Sequence, residues 1–343
     1  MKNLLDYDLD ELKQEMARIG EKPFRATQIM EWLTKGVYIG SMANLGAPLR
    51  EKLQTNYIEG FPKIADVRIS RDGTKKYLFR YHDGSTVESV FMQKNYGNTI
   101  CVSTQVGCRM GCRFCASGKF GLSRNLTAGE ILGQVIAVNA DQGSGRNITN
   151  IVLMGMGEPL DNYDNVVKFL RLINDAHSLQ IGYRNISLST CGLPEKIMRF
   201  AQEGMPVTLS ISLHASTDEK RRETMPIAQK YTISEVLDAA RNYFHKTGRR
   251  IIIEYAVIEN QNDTEEDAAQ LKEALRGLNC HVNLIALNPN DDGIFSAPNK
   301  DRVYAFCKML EQYGLSATVR RSMGGDIDGA CGQLRQRFEK SEE

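Results

Sequence analysis

A chain of 343 residues with 42% apolar side chains can hold one large domain with an appendage and bury a sizeable core. Forty-three basic against 42 acidic side chains leave a net charge of +1, which excludes a globally basic nucleic-acid binder and confines any RNA contact to a local patch. No apolar run approaches the roughly 20 residues of a bilayer-spanning helix, and MKNLLDYDLDELKQEM carries acids where a secretory leader would be basic and then apolar, so the expected location is the cytoplasm, with no membrane partner.

The first elements in chain order are helical. DLDELKQEMARIG, FRATQIMEWLTKG and PLREKLQTNYI each place apolar residues near a 3.6-residue period with Gly or Pro close to their ends, which predicts a helical accessory domain over residues 1–62. KKYLFRYHDG and STVESVFMQ follow as two β-prone runs around the turn-forming pair Asp83 and Gly84, a β extension over 63–97. From Thr99 onward TICVSTQ, NIVLMGM, RNISLST, VTLSISLHA, RIIIEYAVI and HVNLIALNP are each followed by a helical pattern. Two of those helices open with capping boxes, Thr127 with Glu130 and Thr232 with Glu235. Six βα units and a last strand near SATVRR predict an α/β fold, a partial (β/α)6 barrel over 98–335, with 336–343 as a frayed acidic tail. In such sheets the chemistry collects at the carboxyl ends of the strands.

In a reducing compartment eight cysteines point to metal binding or catalysis rather than to a disulfide framework. Cys108, Cys112 and Cys115 stand just after the first predicted strand with the spacing C-x3-C-x2-C. Three thiolates in one loop suit a four-iron cluster that keeps one corner open for a chelating ligand, and Gly107, Gly111 and Phe114 fit a tight loop around a bulky inorganic core. The alternative is a zinc site completed by His214 or Cys331, to which this spacing is poorly suited. After the second strand, GMGEP offers glycines, Gly157 among them, that let backbone approach a ligand, and a carboxylate, Glu158, that can accept from an ammonium; it also reads as a plain strand-to-loop turn. Ser189, the run Ser212, Leu213 and His214, and Asn288 end the third, fourth and sixth strands, where polar groups would face a bound cofactor or simply finish a rim. Cys101 and Cys331 fall outside the cluster spacing. Cys101 reads equally as a small core residue, whereas Cys331 lies in a segment too polar for core, where a loop cysteine invites a chemical role. Cys191, Cys280 and Cys307 are assigned to packing.

The triplet followed by a partial barrel resembles the radical S-adenosylmethionine (SAM) superfamily, which implies reductive cleavage of SAM held at the open iron. Within it, the combination CVSTQVGCRMGCRFC, GMGEP, SLHA, MPI, HVNLI and DIDGACGQL resembles the dual-specificity 23S ribosomal RNA and transfer RNA adenine-C2 methyltransferases of the RlmN type, from about residue 20 to residue 335. Cys191, where a small hydroxyl residue is usual, and Gly329, where Ala is common, depart from the pattern away from the presumed chemical positions. The resemblance implies a [4Fe-4S] cluster on Cys108, Cys112 and Cys115, and two SAM per turnover, one the methyl donor and one the radical source. It implies SAM contacts at Gly157, Glu158, Ser189, Ser212, Leu213, His214 and Asn288.

Adenine C2 lies between two ring nitrogens and is too electron-poor to attack a SAM methyl directly. The family route therefore methylates Cys331, makes that methyl carbon a radical that adds to C2, and frees the product when Cys101 attacks the Cys331 sulfur, leaving a transient disulfide. Glu88 matches the family's proton acceptor, although an acid on an alternating strand also reads as a solvated face. The implied partners are 23S ribosomal RNA at the peptidyl transferase centre, the transfer RNA anticodon stem-loop and an external electron donor such as flavodoxin, with the chain a monomer. Arg221 with Arg222, Arg249 with Arg250, Arg320 with Arg321, Arg335 with Arg337, and Lys22 with Arg25 on the appendage are candidate phosphate contacts. The target adenosine is expected flipped or single-stranded. The rival readings are the related C8 methylase that confers ribosomal antibiotic resistance, another radical SAM enzyme such as a glycyl-radical activase, which leaves Cys101 and Cys331 unexplained, and a metal-bearing RNA-binding module without catalysis.

Overall fold

The computed structural model describes residues 1–95, 97–143, 145, 147–287, 295–296, 298–321 and 323–327. Three accessory helices, Leu9–Arg18, Arg25–Leu33 and Ala47–Asn56, form where the periodicity places them, the first behind a capping box of Asp8 and Glu11 and the third with a proline in its first turn. They do not bury their apolar faces only against each other. Leu12, Ile29 and Leu53 share one core with Val135, Ile136 and Tyr77 of the main body. The contact is close because the helix Ala128–Asp141 presents glycines to it. A Cβ on Gly129 would stand 2.6 Å from the Leu5 carbonyl carbon and one on Gly133 2.5 Å from the Gly60 oxygen, while the Gly129 N–H donates to Asp6 Oδ1 at 2.6 Å.

The main body is one ten-stranded sheet. Lys63–Ile69, Lys75–Arg80 and Thr86–Met92 form an antiparallel extension whose last strand pairs with Thr99–Cys101, Val90 standing opposite Cys101. Thr99–Cys101 then begins a parallel run: Asn150–Leu153, Ile186–Thr190, Thr208–Ser212, Ile251–Val257, Cys280–Ala286 and Ala317–Val319 lie side by side in chain order. That is the expected six βα units closed by a seventh strand, each helix returning over the outer face. One expected strand, TICVSTQ, is two. The chain bends at Val102–Thr104, where the Ser103 N–H donates to Gln134 Oε1 at 2.9 Å, Ser103 Oγ donates to the Glu88 carbonyl at 2.6 Å and the Thr104 N–H donates to the Met156 carbonyl at 2.8 Å. Side chains thus take over bonds that a straight ladder would make, and Gln105–Gly107 re-forms as a ribbon with Leu122–Asn125.

Alternation along the parallel strands separates the two faces. Ile186, Leu188, Leu209, Ile211 and Ile253 join the core beneath the helices. Ser187, Ser189, Ser210, Ser212, Glu254 and Asn283 occupy the opposite, inner face, where Ser189 and Ser212 oxygens are 3.2 Å apart and Asn283 Nδ2 donates to both Glu254 oxygens at 3.2 and 3.1 Å. A barrel interior this polar is built to hold a polar ligand rather than to pack. Cys307, buried beside Val303, Phe306 and Leu310, is packing as expected, as is buried Cys191. Among the described residues no helix is long and apolar enough to cross a membrane.

Candidate active site

The cysteine loop fills the gap between the two ribbon strands, at the carboxyl end of the first barrel strand. The Cys108 N–H donates to the Gly121 carbonyl at 2.8 Å, closing the loop. Gly107 must be glycine: its φ is +81° and a Cβ there would lie 1.9 Å from the Gly121 oxygen. Within the loop the Cys115 N–H donates to the Cys112 carbonyl at 3.0 Å, and the short helix Asp218–Thr224 braces it from outside, the Thr224 carbonyl accepting from the Arg113 N–H at 2.9 Å.

Burial pushes the Cys108 thiol up to about 12 and Cys112 higher still, so both need a bound cation to become thiolates. Cys108, Cys112 and Cys115 feel one another's charge, yet no three His, Cys, Asp or Glu side chains among the described residues meet round one ion-sized point. Three cysteine sulfurs offered from one short loop fit a polynuclear cluster with an open corner, the donor chemistry that soft iron–sulfur centres take. His214 does not complete a zinc site. Its Nδ1 accepts from the Ala256 N–H at 2.9 Å, which leaves the proton on Nε2 and neither nitrogen free to ligate.

The ends of the other strands gather round this loop. Glu158 is buried, its N–H donating to Gln105 Oε1 at 2.8 Å while Oε1 accepts from the Leu160 N–H at 3.0 Å and Oε2 from the Cys191 N–H at 2.8 Å. It ties the first three strands together, and burial raises its carboxyl above the usual range. The glycines around it also serve the packing of the chain itself. A Cβ on Gly155 would lie 2.6 Å from the Val102 oxygen, and one on Gly157, with φ +104°, 2.6 Å from Gln105 Cβ, so the close approach they permit is to the first strand.

His214, held at φ +59°, meets the Phe114 ring edge-on with centroids 5.0 Å apart, and Leu213 beside it is fully buried. Burial, with Arg221 nearby, drives the His214 pKa down to about 3. Between pH 3 and the unfolded-state value near 6.5 the unfolded chain therefore binds a proton that the folded one refuses, and stability rises with pH across that window. Urea denaturation of the cluster-free protein should show that slope, up to about 5 kcal/mol in total as an upper bound, and His214→Asn should flatten it.

Cys101 is buried with Val90 and Met92, against Val152, Met154 and Met323, on the inner face and not in the main core. Glu88 lies on the same face of the adjoining strand. The solvated-face alternative for Glu88 is overturned: it is 3% exposed and its Oε2 is 3.0 Å from the Nζ of Lys76, which is 0% exposed. Sequence reasoning missed Lys76. The hairpin register about Asp83 and Gly84 could have found it, since Leu78 pairs with Glu88 and Lys76 is its diagonal neighbour. Breaking this buried pair by Lys76→Met is expected to cost on the order of 3–5 kcal/mol, and replacing both partners with apolar residues much less, read as denaturation midpoints.

Beyond the seventh strand the chain crosses to the extension. The Gly324 N–H donates to Asp72 Oδ2 at 3.0 Å, and Asp326 accepts from Ser70 Oγ at 2.5 Å and from the Arg71 N–H at 3.1 Å. Met323 thereby covers Cys101. Cys331 and Asn288 lie outside the described residues, as do Gly329, Arg335 and Arg337.

Of the arginine pairs, Arg221 is not a phosphate contact: it is fully buried. Arg249 donates to Thr208 Oγ1 at 2.6 Å and Arg250 to the Cys280 carbonyl at 2.8 Å, both at the amino ends of strands, the end opposite the three-cysteine loop. Arg320 and Arg321 are exposed, the former 3.8 Å from Glu254. Lys22 is exposed, and Arg25 sits 4.9 Å over the exposed Phe24 ring.

Comparison with known proteins agrees with this architecture. The profile of the radical SAM superfamily matches residues 102–271 and that of the ribosomal RNA large subunit methyltransferase N-terminal domain residues 2–58. The chain is 52% identical over 344 residues, 99% of each protein, to a Clostridium perfringens strain 13 protein named "Probable dual-specificity RNA methyltransferase RlmN", and 48% identical over 345 residues, 100% of this chain and 99% of the relative, to its namesake in Clostridium acetobutylicum. The crystal structure of a radical SAM methyltransferase from Sphaerobacter thermophilus superposes with a TM-score of 0.93 at 42% identity, over 97% of this chain and 99% of that one. Full-length identity of this order, on a barrel whose first strand leads into the three-cysteine loop, shows that the chain belongs to the RlmN family of radical SAM RNA methyltransferases, for which a [4Fe-4S] cluster and SAM are the cofactors and ribosomal RNA the substrate.

Proposed function

We propose that the chain methylates C2 of an adenosine in 23S ribosomal RNA at the peptidyl transferase centre, and an adenosine of the transfer RNA anticodon stem-loop, as the motif resemblance implies; the relatives' shared name, a dual-specificity RNA methyltransferase, supports two RNA substrates. Cys108, Cys112 and Cys115 hold the cluster, which with SAM bound supplies one-electron cleavage of SAM to a carbon-centred radical. Gly157, Glu158, Ser189, Ser212, Leu213, His214 and Asn288 are the groups assigned to SAM. His214, neutral with its proton on Nε2, offers a donor there, and the facing Ser189 and Ser212 hydroxyls offer both donors and acceptors. The Cys331 sulfur takes a methyl group from one SAM; the second SAM, as the radical source, would remove one hydrogen atom from that methyl, whose carbon bonds to C2. Glu88 receives the C2 proton, and the one electron left over would return to the cluster. Cys101, as thiolate, then attacks the Cys331 sulfur; the S–C bond breaks with its electron pair going to the carbon, which takes up a proton, and the disulfide left is reduced by cellular thiols.

The observation that carries this reading is the position of Cys101: a buried thiol on the inner face, one strand from Glu88, beneath the strap that leads to Cys331. The helices within residues 1–62 are proposed as the RNA platform, residues 63–97 as the wall that carries Glu88, and 98–335 as the barrel. The chain acts as a cytoplasmic monomer fed by a one-electron protein donor such as flavodoxin. The test is anaerobic reconstitution with iron, sulfide and methyl-labelled SAM, reaction with 23S ribosomal RNA and transfer RNA, and nucleoside analysis. The expected result is 2-methyladenosine from both RNAs with two SAM consumed per methyl group. Label only at C8, or none in RNA, overturns it.

A further inference from the structure

Arg221 is the largest fully buried side chain among the described residues, and its charge has no carboxylate partner within ion-pair distance there. Its Nε donates to the Leu213 carbonyl at 3.2 Å, and its Nη2 to the Cys191 carbonyl at 2.5 Å and the Ser212 carbonyl at 3.5 Å. Nη1 is equally buried and has no hydrogen-bond partner. Three carbonyls satisfy donors but do not neutralise a cation, and burying an uncompensated charge costs several kcal/mol by general estimates. Such a side chain persists where an anion completes it.

The groups near Arg221 say which anion. Its strongest electrostatic neighbour is the Cys191 thiol, then that of Cys112, with Asp218 a weaker influence. It rides on the helix Asp218–Thr224, which also fixes the cysteine loop: the Thr224 and Glu223 carbonyls accept from the Arg113 N–H at 2.9 Å and from Arg113 Nη1 at 3.1 Å, and a Cβ on Gly111 would touch Pro226 at 3.6 Å. The carbonyls that hold Nε and Nη2 belong to the ends of the third and fourth strands, on the segments bearing Cys191, Ser212 and Leu213. Arg221 is thus held to the rim assigned to SAM, on a helix whose last residues hold the loop that carries Cys112.

We propose that Arg221 is the counter-ion of the iron–sulfur site, its free Nη1 donating an N–H···S bond to a cluster sulfur on the Cys112 side and its charge raising the cluster's reduction potential. The inference rests on the reading that Cys108, Cys112 and Cys115 hold a cluster. Three thiolates make the site anionic, and reduction by a one-electron donor adds one further negative charge without changing the ligands. A fixed cation stabilises the more negative state more, so the potential rises, and hydrogen bonds to sulfur act in the same direction. The buried guanidinium is a tuning group that touches the cofactor, distinct from the residues that hold SAM.

Two measurements on reconstituted full-length protein test it. In wild type with 15N-labelled arginine side chains, pulsed electron paramagnetic resonance of the dithionite-reduced cluster should show a 15N coupling, lost in Arg221→Lys. In Arg221→Met, at unchanged iron and sulfide content, the reduced-to-oxidised ratio at a fixed applied potential should fall at least about tenfold, a shift of about 59 mV for one electron. A cluster that forms with no arginine 15N coupling, or a coupling that survives in Arg221→Lys, overturns the proposal even if Arg221→Met does not fold, as does an unchanged midpoint in a folded variant. Failure of wild type to take up iron and sulfide would instead overturn the cluster reading beneath it.

Discussion

Cys112→Ala is expected to leave a folded protein that holds no cubane cluster, does not cleave SAM and transfers methyl groups to RNA at least about 10⁴-fold more slowly, since groups that act as one unit fail together. The fold should survive because the loop's shape rests on backbone bonds, Cys108 N–H to the Gly121 carbonyl and Arg113 N–H to the Thr224 carbonyl, that the substitution does not touch. Losing one sulfur atom there should cost on the order of 1 kcal/mol. The measurement is iron and sulfide content and deoxyadenosine formation, beside thermal unfolding of the cluster-free protein. A variant that unfolds with wild-type cooperativity but lacks iron assigns the cysteine to the cluster. One that keeps both iron and deoxyadenosine production removes Cys112 from the ligand set. Gly107→Ala is the contrasting change: its Cβ has nowhere to go against the Gly121 oxygen, so it should disturb the loop itself.

What could be read from the amino acids was whatever depends on local spacing. The period of the accessory helices, the alternation of βα units and the C-x3-C-x2-C run are local patterns, and each fell where the pattern put it. The features that escaped depend on which strands become neighbours. Lys76 looks like half of an exposed Lys-Lys pair until Thr86–Met92 is laid beside Lys75–Arg80, at which point it is a buried ammonium facing Glu88. Arg221 beside Arg222 reads as a basic surface patch, and only the return of the helix Asp218–Thr224 across the ends of the third and fourth strands places one of the two inside. For the GMGEP glycines, a sequence shows that backbone must come close to something but not to what; within the chain their close neighbours are Val102 and Gln105. Likewise a straight TICVSTQ strand was the natural expectation from alternation, and the bend at Ser103 exists because Gln134, 31 residues on, offers its side-chain amide.

Cys101→Ala should produce the most distinctive phenotype of any single substitution in this chain. If Cys101 is the thiol that releases the product, its loss leaves methyl transfer to the target carbon intact but blocks the final S–C cleavage, so RNA should accumulate covalently attached through Cys331 in a single turnover, with steady-state turnover down by at least about 10³-fold. Packing offers no comparable explanation. Cys101 sits among Val90, Met92, Val152, Met154 and Met323, flexible or small neighbours, and removing one sulfur atom from such a site should cost about 1 kcal/mol of stability. Denaturing gel electrophoresis of a reaction with labelled RNA separates the outcomes: Cys101→Ala gives a protein–RNA band, the double variant Cys101→Ala with Cys331→Ala gives none, and Cys331→Ala alone gives neither band nor product. Normal turnover by Cys101→Ala would return this residue to the small-core alternative and leave the strap from Ala317–Val319 across the extension, with Met323 over Cys101, as packing alone. The placement argues for the chemical role, because Cys101 lies on the inner face, the face that bears Glu88 on the adjoining strand, and not in the main core on the other side of the same strand.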